Sequence, residues 1–205
     1  MIEKFQNKYR IPSNRLRGWD YASSGHYYIT IVTAGRERIF GDIINGEMIL
    51  NDLGQIVYDE FFKSFEIREE LFLGEFVLMP DHLHAIVILD KSKCTDGIVG
   101  ANGDDVETHG RASLLQTPQT PPPSQFQRQP KSISSFVAGF KSSTIKRIDD
   151  WIDANHLTMA KFNKNNPLWQ SNYHDHIIRN ETEYLHISDY IIRNPIEWKE
   201  DPLKR

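Results

Sequence analysis

The spacing of hydrophobic and polar positions predicts a succession of short strands in the first half of the chain. Residues 26–33 are β-branched and aromatic, which favours a strand. Asn45-Gly46 stands between two apolar runs and indicates a tight hairpin. Residues 71–78 and 82–89 are expected to form an antiparallel pair joined by a turn at Met79-Pro80-Asp81.

Helical spacing of apolar residues appears in three further stretches. The first follows a candidate N-cap at Asn51 or Asp52. The second begins at Ile133 and carries a single apolar stripe. The third covers residues 181–194 and is expected to stop at Pro195, which cannot continue a helix without losing a backbone hydrogen bond.

Residues 91–130 differ in character from the rest, with glycines in their first part and prolines in their second. Such a composition packs poorly, so we expect a flexible insertion within a single domain of residues 1–205. A last strand is expected over residues 168–179, before the final helix. The order of elements predicts an α+β fold, a mainly antiparallel sheet with helices packed on one face.

Two histidines on the strand after the turn are the first candidates for chemistry. Alternate residues of a strand share a face, so His82 and His84 project together. Leu83, Ile86 and Ile88 are assigned to the opposite, apolar side. Two imidazoles held side by side on a rigid element form half of a divalent-metal site. Ordinary polar-face histidines would give the same pattern.

The final helix carries a second group of polar residues. His186, Tyr190 and Asn194 stand four residues apart and therefore line up on one flank. A hydroxyl and an amide one turn apart could supply a nucleophile and a further metal ligand, although a tyrosine beside an apolar stripe is often structural. The neighbouring face is expected to be buried and comprises Tyr184, Leu185, Ile187, Ile191 and Ile192.

Composition excludes several other classes of protein. The chain has 205 residues, 39% of them hydrophobic and 25% charged, as expected of a globular domain. It has no apolar run of about 20 residues and no apolar block at its start, so we expect a cytoplasmic protein without membrane contact. Cys94 is the single cysteine, which excludes an intrachain disulfide and a cysteine-rich zinc site.

Basic residues are clustered although the net charge is −4. Arg15 and Arg17 belong to a basic segment near the start, and Lys141, Lys146 and Arg147 to a second one. Clustered cations of this kind can hold the phosphates of a nucleic acid, so these five residues are candidate DNA contacts. Solvated basic faces without a ligand would explain the same distribution.

Four motifs of the chain resemble those of the REP-associated tyrosine transposases, within the HUH single-tyrosine transposase superfamily. Together with Phe140-Lys141-Ser142, they extend over nearly the whole chain outside residues 91–130. The motifs are GHYYITIVTAGRERIFG at 25–41, MPDHLH at 79–84, WQSNYHDHIIRN at 169–180 and YIIRNP at 190–195.

This resemblance implies a ferredoxin-like sandwich of the HUH endonuclease type and a set of site residues. It implies that His82 and His84 bind Mg²⁺ or Mn²⁺, that Asn194 occupies the position of a third ligand, and that Tyr190 is the nucleophile. The implied substrate is single-stranded DNA with hairpin or palindromic elements, cleaved and rejoined through a 5′-phosphotyrosine. His176 falls on a motif position, and a DNA-contacting or structural role is expected for it.

Two other functions remain open from the sequence. A DNA-hairpin-binding protein without cleavage activity would keep the same basic segments. A metal hydrolase could use His82, His84 and His176 as ligands and water as its nucleophile. The sequence leaves open whether the protein is a monomer or a homodimer and which DNA sequence it would recognise.

Overall fold

The computed structural model describes residues 18–92 and 129–198, together with the backbone of two short paired strands, β1 (Lys4–Phe5) and β2 (Lys8–Tyr9). The candidate DNA contacts Arg15 and Arg17 lie outside the described residues, as does most of the predicted insertion 91–130. The division of the chain into one domain with an insertion therefore stays a prediction.

Six further strands build a central sheet and a separate hairpin. Four of them form one sheet in which every neighbouring pair is antiparallel, and the other two form the hairpin predicted around Asn45-Gly46. Both turn residues have positive φ, as such two-residue turns require. The strands are β3 (Gly25–Val32), β4 (Gly41–Ile44), β5 (Glu47–Leu50), β6 (Leu71–Leu78), β7 (His82–Leu89) and β8 (His174–Ile178).

The strand order β6-β7-β3-β8 puts β7 and β3 in the centre of the sheet and β8 at an edge. The helices are α1 (Asp52–Glu66), α2 (Ile133–Ala154) and α3 (Glu181–Glu197), and each begins at a polar residue whose side chain accepts a backbone N–H. In α1 this cap is Asn51, one of the two candidates. None of the helices in the described part of the chain combines the length and apolarity needed to span a bilayer.

Helices α1 and α2 cover one face of the sheet and enclose the main hydrophobic core. Because side chains alternate along a strand, the odd-numbered residues of β3 and β7 point into this core. The α+β class and the mainly antiparallel sheet are therefore confirmed. Fully buried core residues include Tyr27, Ile29, Ile31, Phe61, Leu83, Val87, Phe136 and Phe140.

The third helix lies over the opposite face, so the predicted single helical face holds for α1 and α2 only. There Ile191 of α3 packs with Ile86 and Ile178 in a small second cluster, with Ile88 at its border. Ile86 and Ile88 were assigned to the side away from the histidines, which was wrong, because a period of two places them on the same face as His84. Their apolar surface is what α3 covers.

The end of α3 differs from its prediction. The helix continues through Pro195 to Glu197. Proline at this position lacks the N–H that would reach the Ile191 carbonyl, but a helix that ends two residues later loses little else. The expected buried face was also too wide, because Leu185 and Ile192 are 60% and 64% exposed.

The last strand is shorter than residues 168–179, since only β8 is extended and paired. Upstream of it, Trp169 forms a single backbone bridge with Thr33. The Trp169 side chain is buried against the rings of Phe40 and Phe140. The first residue of the WQSNYHDHIIRN motif, Trp169, therefore belongs to the hydrophobic core rather than to the sheet.

Candidate metal and tyrosine site

His82 and His84 of the MPDHLH motif lie side by side on β7, as predicted. The ring centroids of His82 and His84 are 4.6 Å apart, and only 8% and 6% of the two residues is exposed. Both project towards α3, since His84 contacts Tyr190 of that helix. A central strand with partners on both sides holds such a pair rigidly, as a preorganised site requires.

His82 is oriented by the residue before it. Its Nδ1 lies 2.5 Å from Oδ1 of Asp81. An ionised carboxylate only accepts hydrogen bonds, so Nδ1 of His82 carries the proton and donates it. In the neutral imidazole with its hydrogen on Nδ1, the lone pair is on Nε2. A carboxylate behind the imidazole is the usual second partner of a metal-binding histidine.

His84 is oriented by two hydroxyl groups of β3. Its Nδ1 lies 2.8 Å from the hydroxyl oxygen of Tyr28 and 2.8 Å from that of Thr30. Its Nε2 lies 3.4 Å from the hydroxyl oxygen of Tyr190. In both histidines the Nδ1 atom is thus held by a protein group on the sheet, whereas Nε2 of His84 faces the tyrosine of α3.

Burial keeps the side chains of His84 and Tyr28 uncharged. The pKa of His84 is lowered to about 3, mainly by desolvation and secondly by the neighbouring His82, while Asp81 opposes the shift. His84 is therefore neutral at physiological pH, the form in which an imidazole binds a metal ion. Desolvation also raises the pKa of Tyr28 to about 12, so its hydroxyl keeps its proton.

Tyr190 reaches the histidine pair from α3. Its ring meets the rings of His84 and Tyr28 edge-on, with centroid distances of 5.4 Å and 6.4 Å. The residue is nevertheless 46% exposed. The hydroxyl therefore has one side towards His84, while much of the side chain is accessible to a ligand from solvent.

A glycine in β6 lets α3 approach the sheet closely. A Cβ atom at Gly74 would lie 2.8 Å from the Tyr184 hydroxyl of α3 and 3.1 Å from Cβ of Ile86. Gly74 lies where the pairing of β6 with β7 shifts register, between Leu73 and Phe76. The missing side chain at this bulge makes room for the helix that carries Tyr190.

Asn194 lies one helical turn beyond Tyr190 and is partly buried. Among the described residues, no hydrogen bond joins it to His82 or His84, so its role as a third ligand stays a prediction. Within residues 18–92 and 129–198, no three His, Cys, Asp or Glu side chains are grouped to hold a metal ion. An ion on the two imidazoles would need oxygen ligands from an amide, water or substrate.

The three described cations predicted to contact DNA are not brought to this site. They lie on α2, on the other side of the sheet from the histidines. Nζ of Lys141 donates to the backbone oxygens of Gln170 and Asn172, at 2.7 Å and 3.0 Å, and so holds the segment before β8. Lys146 pairs with Asp150, and Arg147 is exposed. DNA binding by these cations stays a prediction.

His176, which belongs to the WQSNYHDHIIRN motif, has a different environment. His176 on β8 places Nε2 2.6 Å from Oε1 of Glu183 in the first turn of α3. The same carboxylate accepts the backbone N–H of Arg179 at 2.8 Å. His176 therefore takes part in fastening the start of α3 to the sheet edge, which fits the structural role considered for it.

Sequence reasoning missed four partners of the histidine pair. Asp81 was assigned only to the turn, although its place directly before His82 was a signal. Tyr28 and Thr30 share a face of β3, but the pattern does not tell which strand lies beside it. Trp198, whose ring lies 5.7 Å from that of His82 and carries the guanidinium of Arg38 over it, comes after the last predicted element.

Comparison with known proteins assigns the chain to a family. It is 35% identical over 193 residues to a protein of Haemophilus influenzae described as an uncharacterized protein, covering 93% of this chain and 91% of that one. The chain therefore belongs to the same family as this Haemophilus protein. No family model matches it.

Among solved structures, the chain is similar to that of a REP-associated tyrosine transposase bound to a REP hairpin. The TM-score is 0.48, the identity 18%, and the match covers 89% of this chain and 73% of the other.

Proposed function

We propose that this protein is a metal-dependent DNA transposase or endonuclease that cleaves and rejoins single-stranded DNA beside hairpins through a 5′-phosphotyrosine. The observation that carries the proposal is the 3.4 Å distance between the hydroxyl of Tyr190 and Nε2 of His84, next to the paired His82. The resemblance of the four motifs to those of tyrosine transposases supports the same assignment.

The residues present fit a divalent ion with an open coordination sphere. Nε2 of His82 and Nε2 of His84 would hold it, and Asn194 is the candidate for an oxygen ligand. Asp81 behind His82 and the neutral state of His84 favour metal binding. Imidazole ligands suit Mn²⁺, and an open sphere with oxygen ligands also accepts Mg²⁺. When bound, the ion would polarise a phosphate and stabilise the negative charge that develops on it.

Tyr190 would act as the nucleophile of the strand transfer. Its phenol loses a proton, its oxygen forms a bond to phosphorus, and the bond from phosphorus to the 3′ oxygen breaks. The departing 3′ oxygen takes up a proton, so the products are a 5′-phosphotyrosine and a free 3′-hydroxyl. Attack of a 3′-hydroxyl on the phosphotyrosine reverses these bond changes, so DNA is rejoined without an external energy source.

The exposure of Tyr190 supports a large substrate rather than a small enclosed one. A side chain that is 46% exposed on the outer side of the sheet is accessible to a polymer lying across it. The cations of α2 are on the other face, so they could contact only a distant part of the DNA, such as the stem of a hairpin. Single-stranded DNA next to a hairpin is the substrate that the motif resemblance implies.

The test is a covalent adduct on a denaturing gel. Hairpin oligonucleotides with randomised single-stranded flanks and a 3′-end label are incubated with the protein and Mn²⁺, with chelator as a control. The wild type should give a labelled protein band, and Tyr190→Phe should lower its yield by at least about 1000-fold because no nucleophile remains. Binding of the hairpin should change less than about twofold, because a single hydroxyl contributes little to a large charged interface.

Tyr184→Phe is the matched control, since Tyr184 is another tyrosine of α3, whose hydroxyl lies at Gly74 and whose ring packs against His26 rather than against His82 or His84. It should keep the adduct. Hairpin binding without any adduct in the wild type would support a binding protein that does not cut. Cleavage that survives Tyr190→Phe would contradict the proposal and support hydrolysis by water.

One observation argues against the hydrolase with three histidine ligands. His176 stands on β8, which is separated from β7 by the whole of β3. His176 and Ile86 are both register partners of Tyr28, so His176 is also displaced along the strands by two residues from His84 and by four from His82. With two strand spacings of about 10 Å added to this offset, one ion cannot reach His176 and the β7 pair together. Its Nε2 is already bonded to Glu183.

A further inference from the structure

Two hydroxyl groups converge on a single nitrogen of His84. We propose that Tyr28 and Thr30 are positioning residues that together accept the Nδ1–H of His84, and so direct the lone pair of Nε2 towards Tyr190 and the metal position. This inference rests on the proposed function for its consequence, but the state of the imidazole can be measured without metal or DNA.

The geometry follows from the register of the two central strands. Thr30 of β3 is the direct partner of His84 on β7, so their side chains stand beside each other on one face. Tyr28 lies two residues away on the same strand and therefore on the same face. Its ring stacks on that of His84, with centroids 5.4 Å apart, which brings its hydroxyl to Nδ1.

The need for both histidines to bind one ion determines which nitrogen of His84 carries the hydrogen. Asp81 fixes Nδ1–H on His82, so the lone pair of His82 is on Nε2. For both imidazoles to bind one ion through Nε2, His84 must also carry its hydrogen on Nδ1. The oxygens of Tyr28 and Thr30 then serve as acceptors, and the hydroxyl of Tyr190 can donate to Nε2 in the absence of metal.

Two acceptors for one N–H imply redundancy. Removing one hydroxyl leaves the other at 2.8 Å, so Tyr28→Phe or Thr30→Val alone should weaken Mn²⁺ binding by no more than about threefold. Removing both leaves a buried N–H without its partners, and loss of such outer contacts weakens metal binding about 10–100-fold. The effects of the two substitutions should therefore be strongly non-additive.

The experiment uses the full chain and two measurements. The first is nitrogen-15 NMR of the histidine rings in the metal-free protein, where His84 should show hydrogen on Nδ1 and none on Nε2. The second is Mn²⁺ titration followed by the electron paramagnetic resonance of free Mn²⁺, for the wild type, both single variants and the double variant. Tyr28→Phe combined with Thr30→Ser retains one hydroxyl and should restore binding to within about threefold of wild type.

Hydrogen on Nε2 of His84 in the wild type would overturn the inference, as would a double variant that binds Mn²⁺ as well as each single one. If the double variant fails to fold, which thermal unfolding would show, the NMR result on the wild type decides alone. If the wild type binds no Mn²⁺, the proposed function fails, whereas the position of the hydrogen on His84 still tests the role of the two hydroxyls.

Discussion

Two pairs of histidines at the same spacing, His82 with His84 and His174 with His176, stand on the same side of the central sheet. The first pair occupies β7, an inner strand, and is almost fully buried. The second occupies β8, the edge strand, and is exposed. Position within the sheet, rather than the motif itself, thus separates a candidate reactive site from a surface contact.

The partners of the two pairs differ accordingly. The carboxylate of Asp81 holds Nδ1 of His82, so that Nε2 is left for a ligand. Glu183 instead contacts His176 through Nε2 and shares its other oxygen with a backbone N–H at the start of α3. A carboxylate on Nδ1 prepares an imidazole for a metal ion, whereas a carboxylate on Nε2 occupies the atom that the inner pair keeps available.

Removing one histidine from each pair tests whether the two pairs differ in metal binding. His84→Ala should weaken Mn²⁺ binding at least about 100-fold, since it deletes one of two proposed protein nitrogen ligands. His174→Ala should change it by less than about threefold. Isothermal titration with Mn²⁺ measures both. Equal losses in the two variants would show that the inner pair has no special role.

Replacing the carboxylate partner of each pair by its amide tests the same difference, and a smaller effect on Mn²⁺ affinity is expected. Asp81→Asn keeps the size of the side chain but removes its charge. Mn²⁺ affinity should therefore fall about 10–100-fold, as it does when other residues that hydrogen-bond to a metal ligand are replaced. Glu183→Gln is the matched control at the edge pair and should leave Mn²⁺ affinity unchanged. A fall of the same size in both variants would point to general loss of structure, which thermal unfolding would detect.

The smallest expected effect concerns the edge pair alone. The backbone N–H of Arg179 and then His176 lower the pKa of Glu183. A carboxyl whose pKa is lowered by folding stabilises the fold above its unfolded-state pKa, and this contribution is lost as the pH falls through the folded-state value. Glu183→Gln should therefore lower the melting temperature slightly at neutral pH, and the difference from wild type should vanish in acid. A difference that is constant with pH would contradict this account.

Much of the fold could be predicted because its signals are local. The hairpin at Asn45-Gly46, the cap at Asn51 and the strand that carries His82 each depend on a few neighbouring residues. The face of α3 could not be predicted, because Leu185 and Ile192 widen its apolar stripe although the sheet covers only one side of it. Leu185 and Ile192 are exposed because of how α3 packs on the sheet, which the spacing of apolar residues along the helix does not encode.

The candidate site was predicted in part for the same reason. His84 and Tyr190 were selected by motif and helical spacing, and the structure brings them together. Tyr28 and Thr30 were not selected, because their relation to His84 depends on β3 lying next to β7, a pairing of strands more than 50 positions apart in the chain. No short-range pattern encodes such a pairing.

Strand β3 serves both halves of the molecule at once. Its odd-numbered residues, such as Tyr27 and Ile29, fill the interior, while Tyr28 and Thr30 face the histidines. Deleting or inserting one residue before Tyr27 would exchange these two sets of side chains. The hydroxyl groups would then point into the hydrophobic core, and aliphatic side chains would lie beside His84. Substitutions at single even positions, by contrast, can alter reactivity while the interior stays filled, which makes this strand a suitable place to begin engineering.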